Sequence, residues 1–179
     1  MTITALEPRM GALYDYYRAG GRAAALVEPD VGRAGGGHGP GLPPFDAVEA
    51  KGIDPIVVLG QFVALVQGVP WTVDLVPMAM LHPPPEGAPR TAEEWDALPE
   101  DSPYLDGGAI VELGASVRDV LAGVDDGRLP DLAARWALIE EFAAWHLDPG
   151  DLLPVARALV ALARRARQAD QLLYCWMCL

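Results

Sequence analysis

Few residues of this chain have the types and spacing that chemistry requires. Cys175-Trp176-Met177-Cys178 has the two-residue spacing of redox dithiols and metal knuckles. A redox pair takes its low thiol pKa from a helix opening at the first cysteine, whereas this run is made of strand-favouring residues with only Leu179 after it. In a strand, residues three apart point to opposite faces. Tetrahedral zinc takes four ligands, and there is no second cysteine pair. Cys175 and Cys178 therefore read as two strand cysteines with no redox or metal role, and no metal or cofactor is expected.

The three histidines, His38, His82 and His146, share no ligand spacing, and no His-Glu-x-x-His occurs. His146 falls in the last turn of an expected helix, where a cation suits the carbonyl ends. His38 sits among glycines and reads as solvated. His82, in Leu81-His82-Pro83-Pro84-Pro85-Glu86, lies in a rigid proline turn with Asp74 and Glu86 near in sequence. It heads the one alternative catalytic set, His82, Asp74 and Tyr104, with Tyr14 and Tyr16 in the same pocket; an exposed loop is the plainer reading. Lys51, Asp54 and Trp71, beside apolar segments, complete the cleft candidates. Gly35-Gly36-Gly37-His38-Gly39 lacks the Gly-Lys-Ser/Thr of a phosphate loop, and Pro40, Pro43 and Pro44 deny it a following helix. Ser102 and Ser116 are the only serines, and neither sits in a Gly-x-Ser-x-Gly elbow.

Carboxylates are plentiful. Glu93, Glu94, Asp96, Glu100, Asp101 and Asp106 crowd one stretch, and 25 acidic against 13 basic residues leave a formal charge of −12. Such a field repels nucleic acid and anionic membrane surfaces. It suits solubility or a basic protein partner, and the stretch 93–106 is the candidate binding surface.

Positioning these residues falls to an alternation of apolar segments. Ala12 to Tyr17 reads as a strand with Leu13, Asp15 and Tyr17 on one face and Tyr14 and Tyr16 on the other. Arg22 to Glu28 reads as a short helix ended by Pro29, and the Gly/Pro-rich stretch at about 32–44 as a flexible loop. Asp54-Pro55 signals a helix start, with a buried helix over Ile56 to Gln67. Trp71 to Val76 alternates like a half-buried strand, and Met78 to Pro89 looks irregular. Thr91-Ala92-Glu93-Glu94 has the capping-box form of a helix to about Leu98. Helices are expected over Gly108 to Val124, Pro130 to about His146, broken by Asp148-Pro149-Gly150, and Asp151 to Ala169 with Arg157, Arg164, Arg165 and Arg167 outward. The uncharged Leu172 to Leu179 demands cover on both faces, which makes it a buried strand inside a small sheet.

The expectation is an α+β fold: a mainly helical single domain over residues 1–179 with a small sheet that includes a buried C-terminal strand. No apolar run approaches the ~20 residues of a membrane span, the first ten residues lack a secretory pattern, and two cysteines suit a reducing compartment. A cytoplasmic location follows as an expectation. One lysine beside twelve arginines, with abundant Ala and Gly, points to a GC-rich bacterial genome.

The tyrosine-rich opening before Glu28-Pro29-Asp30, Lys51-Gly52-Ile53-Asp54 before an apolar helix, Pro103-Tyr104-Leu105 before Val111 to Val124, and a last helix running into Leu172 to Met177 form an ordered series. In order and spacing it resembles the YfbM-like family of uncharacterised bacterial proteins. The resemblance implies an α+β fold and supplies no catalytic residue. The functional expectation is thus an acidic protein-binding module, an adaptor, inhibitor or immunity-type factor, without catalysis of its own. The alternative is a small-molecule-binding protein or small enzyme with its pocket near His82, Asp74 and Tyr104.

Overall fold

In a computed structural model, which describes residues 13–27, 46–105, 108–143 and 149–178, five strands form one antiparallel sheet. They are β1 (Leu13–Ala19), β2 (Ala47–Glu49), β3 (Met78–His82), β4 (Gly108–Leu113) and β5 (Leu172–Cys178). Their order is β2-β1-β5-β4-β3, so the C-terminal strand is the central one. Hydrogen-bonded neighbours on both sides and packing on both faces explain why its sequence can be uncharged throughout.

Register sorts the side chains. Tyr17 lies opposite Tyr174 and Asp15 opposite Trp176 across β1 and β5, while Trp176 and Tyr174 face Ile110 and Glu112 across β4. Because side chains alternate, Tyr16, Val111, Leu113, Leu173 and Cys175 share the face that joins the main core, and Tyr17, Ile110 and Tyr174 the other.

The main-core face is covered by helices α2 (Val58–Gln67), α4 (Ala115–Ala122), α5 (Leu129–Trp136), α6 (Glu140–Ala143) and α7 (Pro149–Gln168). Of these, α7 packs on β1, β2 and β5, α4 and α5 pack on α7, and α2 packs on α4 and α5. Trp136, fully buried, stacks tilted on Phe62 at 4.6 Å and edge-on to Phe142 at 5.8 Å. Its indole N–H donates to the Val58 carbonyl at 2.9 Å, so its polar atom is satisfied inside the core. Asp54 performs the capping its position suggests: its carboxylate accepts the N–H groups of Ile56, Val57 and Val58 ahead of α2. Tyr16 spans from the sheet to this corner, donating to the Ile53 carbonyl at 2.6 Å. On the opposite face sits α1 (Arg22–Ala25), a single turn shorter than the helix expected to Glu28.

Four segments differ from the sequence reading. Trp71 to Val76 is not a strand: Val73–Leu75 winds into one 3-10 turn. The Trp71 indole folds back onto α2, its N–H donating to the Ile56 carbonyl at 3.0 Å. Its alternation does not reflect a sheet face, since Trp71 and Val73 are both exposed. The strand comes later, as β3, from a stretch that looked irregular because of its prolines. Pro77 and Pro83 bracket an edge strand, where missing N–H donors disrupt no ladder.

Gly108 to Val124 is strand then helix. Ile110 and Leu113 fit a helical stripe by spacing, yet a short apolar run is ambiguous between the two periods. Gly114 makes the break: its N–H donates to the Pro77 carbonyl at 2.8 Å, and a Cβ there would meet the Pro77 ring at 3.2 Å. The expected Pro130 to His146 helix divides into α5 and α6 around Leu138, which is 83% exposed. Leu132, Trp136 and Phe142 still point inward. The expected loop at 32–44, with His38, lies outside the described residues, as do His146 and Asp106.

Candidate functional surface

The acidic stretch is built around α3 (Ala92–Asp96), a five-residue helix closed by a complete capping box. Thr91 Oγ1 accepts from the Glu94 N–H at 3.2 Å, and the Glu94 carboxylate accepts from the N–H groups of Thr91 and Arg90. Glu94 is therefore committed to holding the helix. Every residue from Arg90 to Ala97 is exposed, including Trp95 at 46%. Helical spacing places Ala92, Trp95 and Leu98 along one stripe and Glu93 and Asp96 along another. Glu100 and Asp101 follow in exposed turns, and Leu105 beyond them is half exposed. The carboxylates of Glu93, Asp96, Glu100 and Asp101 make no hydrogen bond or ion pair to another described residue. Arg90 is the single cation of the segment 90–105.

Sequence reasoning did not single out Trp95 or Leu105, because the exposure of one apolar side chain has no local signature in so short a stretch.

The alternative set draws on several elements. His82 ends β3, beside a β-bulge that follows Met80. Tyr104 lies against the proline loop that follows His82, its phenol donating to the carbonyls of Pro84 at 2.8 Å and Glu86 at 3.0 Å. Those bonds make Tyr104 a clasp on the proline loop. Asp74 lies exposed before the other end of β3, which a five-residue strand puts about 13 Å from His82. Tyr14 and Tyr16 stand on β1, separated from β3 by β5 and β4, about 14 Å at the usual strand spacing. Trp71 is packed over Gly60, Asp54 caps α2, and Lys51 is exposed in the turn after β2.

Two polar centres had no sequence signal, since their members are distant in the chain. On the sheet face away from the main core, Arg22 forks onto Glu112 at 2.9 and 3.1 Å, and Tyr174 donates to the same carboxylate at 3.2 Å. Arg22 holds the Glu112 carboxyl below the usual range, and burial, then the Glu112 charge, push Tyr174 up to about 12. At the other side of the sheet, Asp46 accepts from Arg165 at 2.6 and 2.7 Å and from Arg18, which also donates to Gln171. The Arg165 hydrogen bonds, followed by those of Arg18, hold Asp46 below its ordinary value. The outward arginines of α7 are used in this way too: Arg164 and Arg167 donate to carbonyls at the end of α4. Cations at a helix C-terminus are favourably placed.

Among the described residues no group of three or more His, Cys, Asp or Glu side chains could hold a metal ion, and no described helix is long and apolar enough to cross a membrane. Cys175 is fully buried and Cys178 half-buried; burial pushes the Cys175 thiol well up. No family model matches the chain, and no curated protein or solved structure matches it significantly.

Proposed function

We propose that the chain is an acidic, cytoplasmic protein-binding module, an adaptor, inhibitor or immunity-type factor, that takes a basic protein partner on the α3 surface. One observation carries the reading: Glu93, Asp96, Glu100 and Asp101 stand close in sequence to the exposed Trp95, and no described cation pairs with them. Carboxylates so placed add little to stability, while their field speeds encounter with a cationic surface. Tryptophan supplies affinity once it is desolvated in an interface. A formal charge of −12 favours the same class of partner and opposes nucleic acid.

The test is partner capture from the source cell at low and at raised salt. It compares the parent chain with Trp95→Ala and with a combined Glu93→Gln, Asp96→Asn, Glu100→Gln, Asp101→Asn variant. Their side chains are exposed and unpaired, so thermal melts of these variants should match the parent. The expected result is one basic protein whose affinity falls roughly tenfold or more in the four-site variant, the equivalent of about 1.4 kcal/mol, and also falls with salt. A partner held equally by the parent and the four-site variant at both salt levels would remove the electrostatic surface from the account. Absence of any partner would leave the small-molecule alternative.

A further inference from the structure

β3 is the last strand of the sheet and, among the described residues, pairs only with β4. The Gly114 N–H donates to the Pro77 carbonyl at 2.8 Å, which sets the phase of the ladder: Pro77 and Ala79 turn their backbone groups toward β4. Met78 and Met80 turn theirs away, and each presents an N–H and a C=O along the outer edge. No described residue bonds to those groups. Met78 packs against the main core, whereas Met80 is 43% exposed. The opposite edge strand, β2, has only three residues and offers a shorter template.

Acidic residues frame this edge. Asp74 is exposed before β3 and Glu86 after it. Tyr104, through its bonds to the Pro84 and Glu86 carbonyls, ties the end of the acidic stretch to the loop that leaves β3. Arg90 is the only Lys or Arg from Asp74 to Leu105. We infer that an extended basic segment of the partner protein adds to the sheet along β3, its backbone pairing with Met78 and Met80 and its cations meeting the acidic residues around the strand. This rests on the reading of the chain as a binder of a basic protein and names how that partner is held. Main-chain pairing supplies the affinity, and alternate side chains of the added strand lie beside Met80. Pro77 and Pro83 confine the pairing to β3 itself. A second copy of this chain is the poorer occupant, because pairing β3 with itself sets two formal charges of −12 and the same acidic flanks against each other.

The probe is a short amidated peptide alternating lysine and valine, titrated at low salt into the isotope-labelled full chain. The amide resonances of Met78 and Met80 should shift and gain protection from hydrogen exchange. The same peptide N-methylated at its central residues has donors on neither edge and should bind roughly tenfold more weakly. Met80→Pro removes an N–H that the β4 ladder does not use and should weaken the unmethylated peptide to a similar degree, while Met80→Gln keeps that N–H and should bind within about threefold of the parent. Equal binding of the two peptides by the parent chain overturns strand addition, however the proline variant folds, and leaves a surface held by charge alone if the four-site variant still loses affinity. Methylation-sensitive binding that the four-site variant retains in full supports the strand pairing and removes the acidic surface proposed above. Failure of the peptide to bind overturns the inference. So does a dimer of the parent chain that Met80→Pro dissociates, which would assign the edge to a second copy.

Discussion

At the scale of single residues, position in the fold separates groups that look alike in the chain. Cys175 and Cys178 form a reactive-looking pair on paper, but the strand sends one into the main core and leaves the other half open. A thiol reagent should therefore label Cys178 in the native protein and Cys175 only on unfolding. Equal labelling rates, read by mass spectrometry, would contradict that placement. Titration of the paired groups has opposite signs at the two ends of the pH scale. Asp46 is held below its unfolded value, so its contribution is complete above about pH 4 and is lost as the pH falls through the lowered native value. Asp46→Asn should cost about 1 kcal/mol at neutral pH, the scale of ion pairs open to water, and less in acid. Tyr174 is raised to about 12, so it stabilises fully below its unfolded value of about 10, and that contribution is lost as pH climbs through 12. Denaturant midpoints at rising alkaline pH should fall less steeply for Tyr174→Phe than for the parent. Some slope must remain, because burial raises Tyr16 as well. None of these environments was legible locally, since Asp46 meets Arg165 across 119 positions of chain and Glu112 meets Arg22 across 90.

At the scale of elements, caps were the most legible feature and strand boundaries the least. Asp54 and the Thr91–Glu94 box act within three or four residues of themselves, so their chemistry is written where it operates. The Trp71 segment shows the opposite case. Its alternation suggested a strand, but the indole had a hydrogen-bond partner in Ile56, just ahead of α2, and the cleft it fills is open because position 60 is glycine. A Cβ there would lie 2.7 Å from the indole nitrogen. Gly60→Ala tests which effect wins. Helix propensity alone favours alanine by about 1 kcal/mol, whereas expelling the ring and its hydrogen bond to Ile56 costs on the order of 1–3 kcal/mol. The variant should be less stable by urea denaturation, with tryptophan emission shifted to the red. A gain in stability would show that Trp71 contributes nothing by packing there.

At the scale of the whole molecule, the last strand joins everything. Removing β5 takes the central strand from the sheet, separates β1 from β4 and uncovers the base of α7. A chain ending at Gln171 should lack a cooperative unfolding transition and should be degraded rapidly by protease. Removing a strand from the edge would leave the other pairings intact, so a folded truncation product would overturn the account of β5. Its central burial was readable because seven consecutive uncharged residues cannot rest at an open edge, a constraint that holds in any fold. The apolar stripes of α2 and α7, the capped starts and the acidic excess were determined in the same way, by composition and period acting over one or two turns. Strand order, the division of 108–124 into β4 and α4, the solvent-facing Trp95 and the ion pairs of Asp46 and Glu112 were decided only by the tertiary structure. Each depends on which distant segment arrives alongside. Neither the period nor the propensity of a short run contains that, because contact free energy belongs to pairs of segments and not to either one alone.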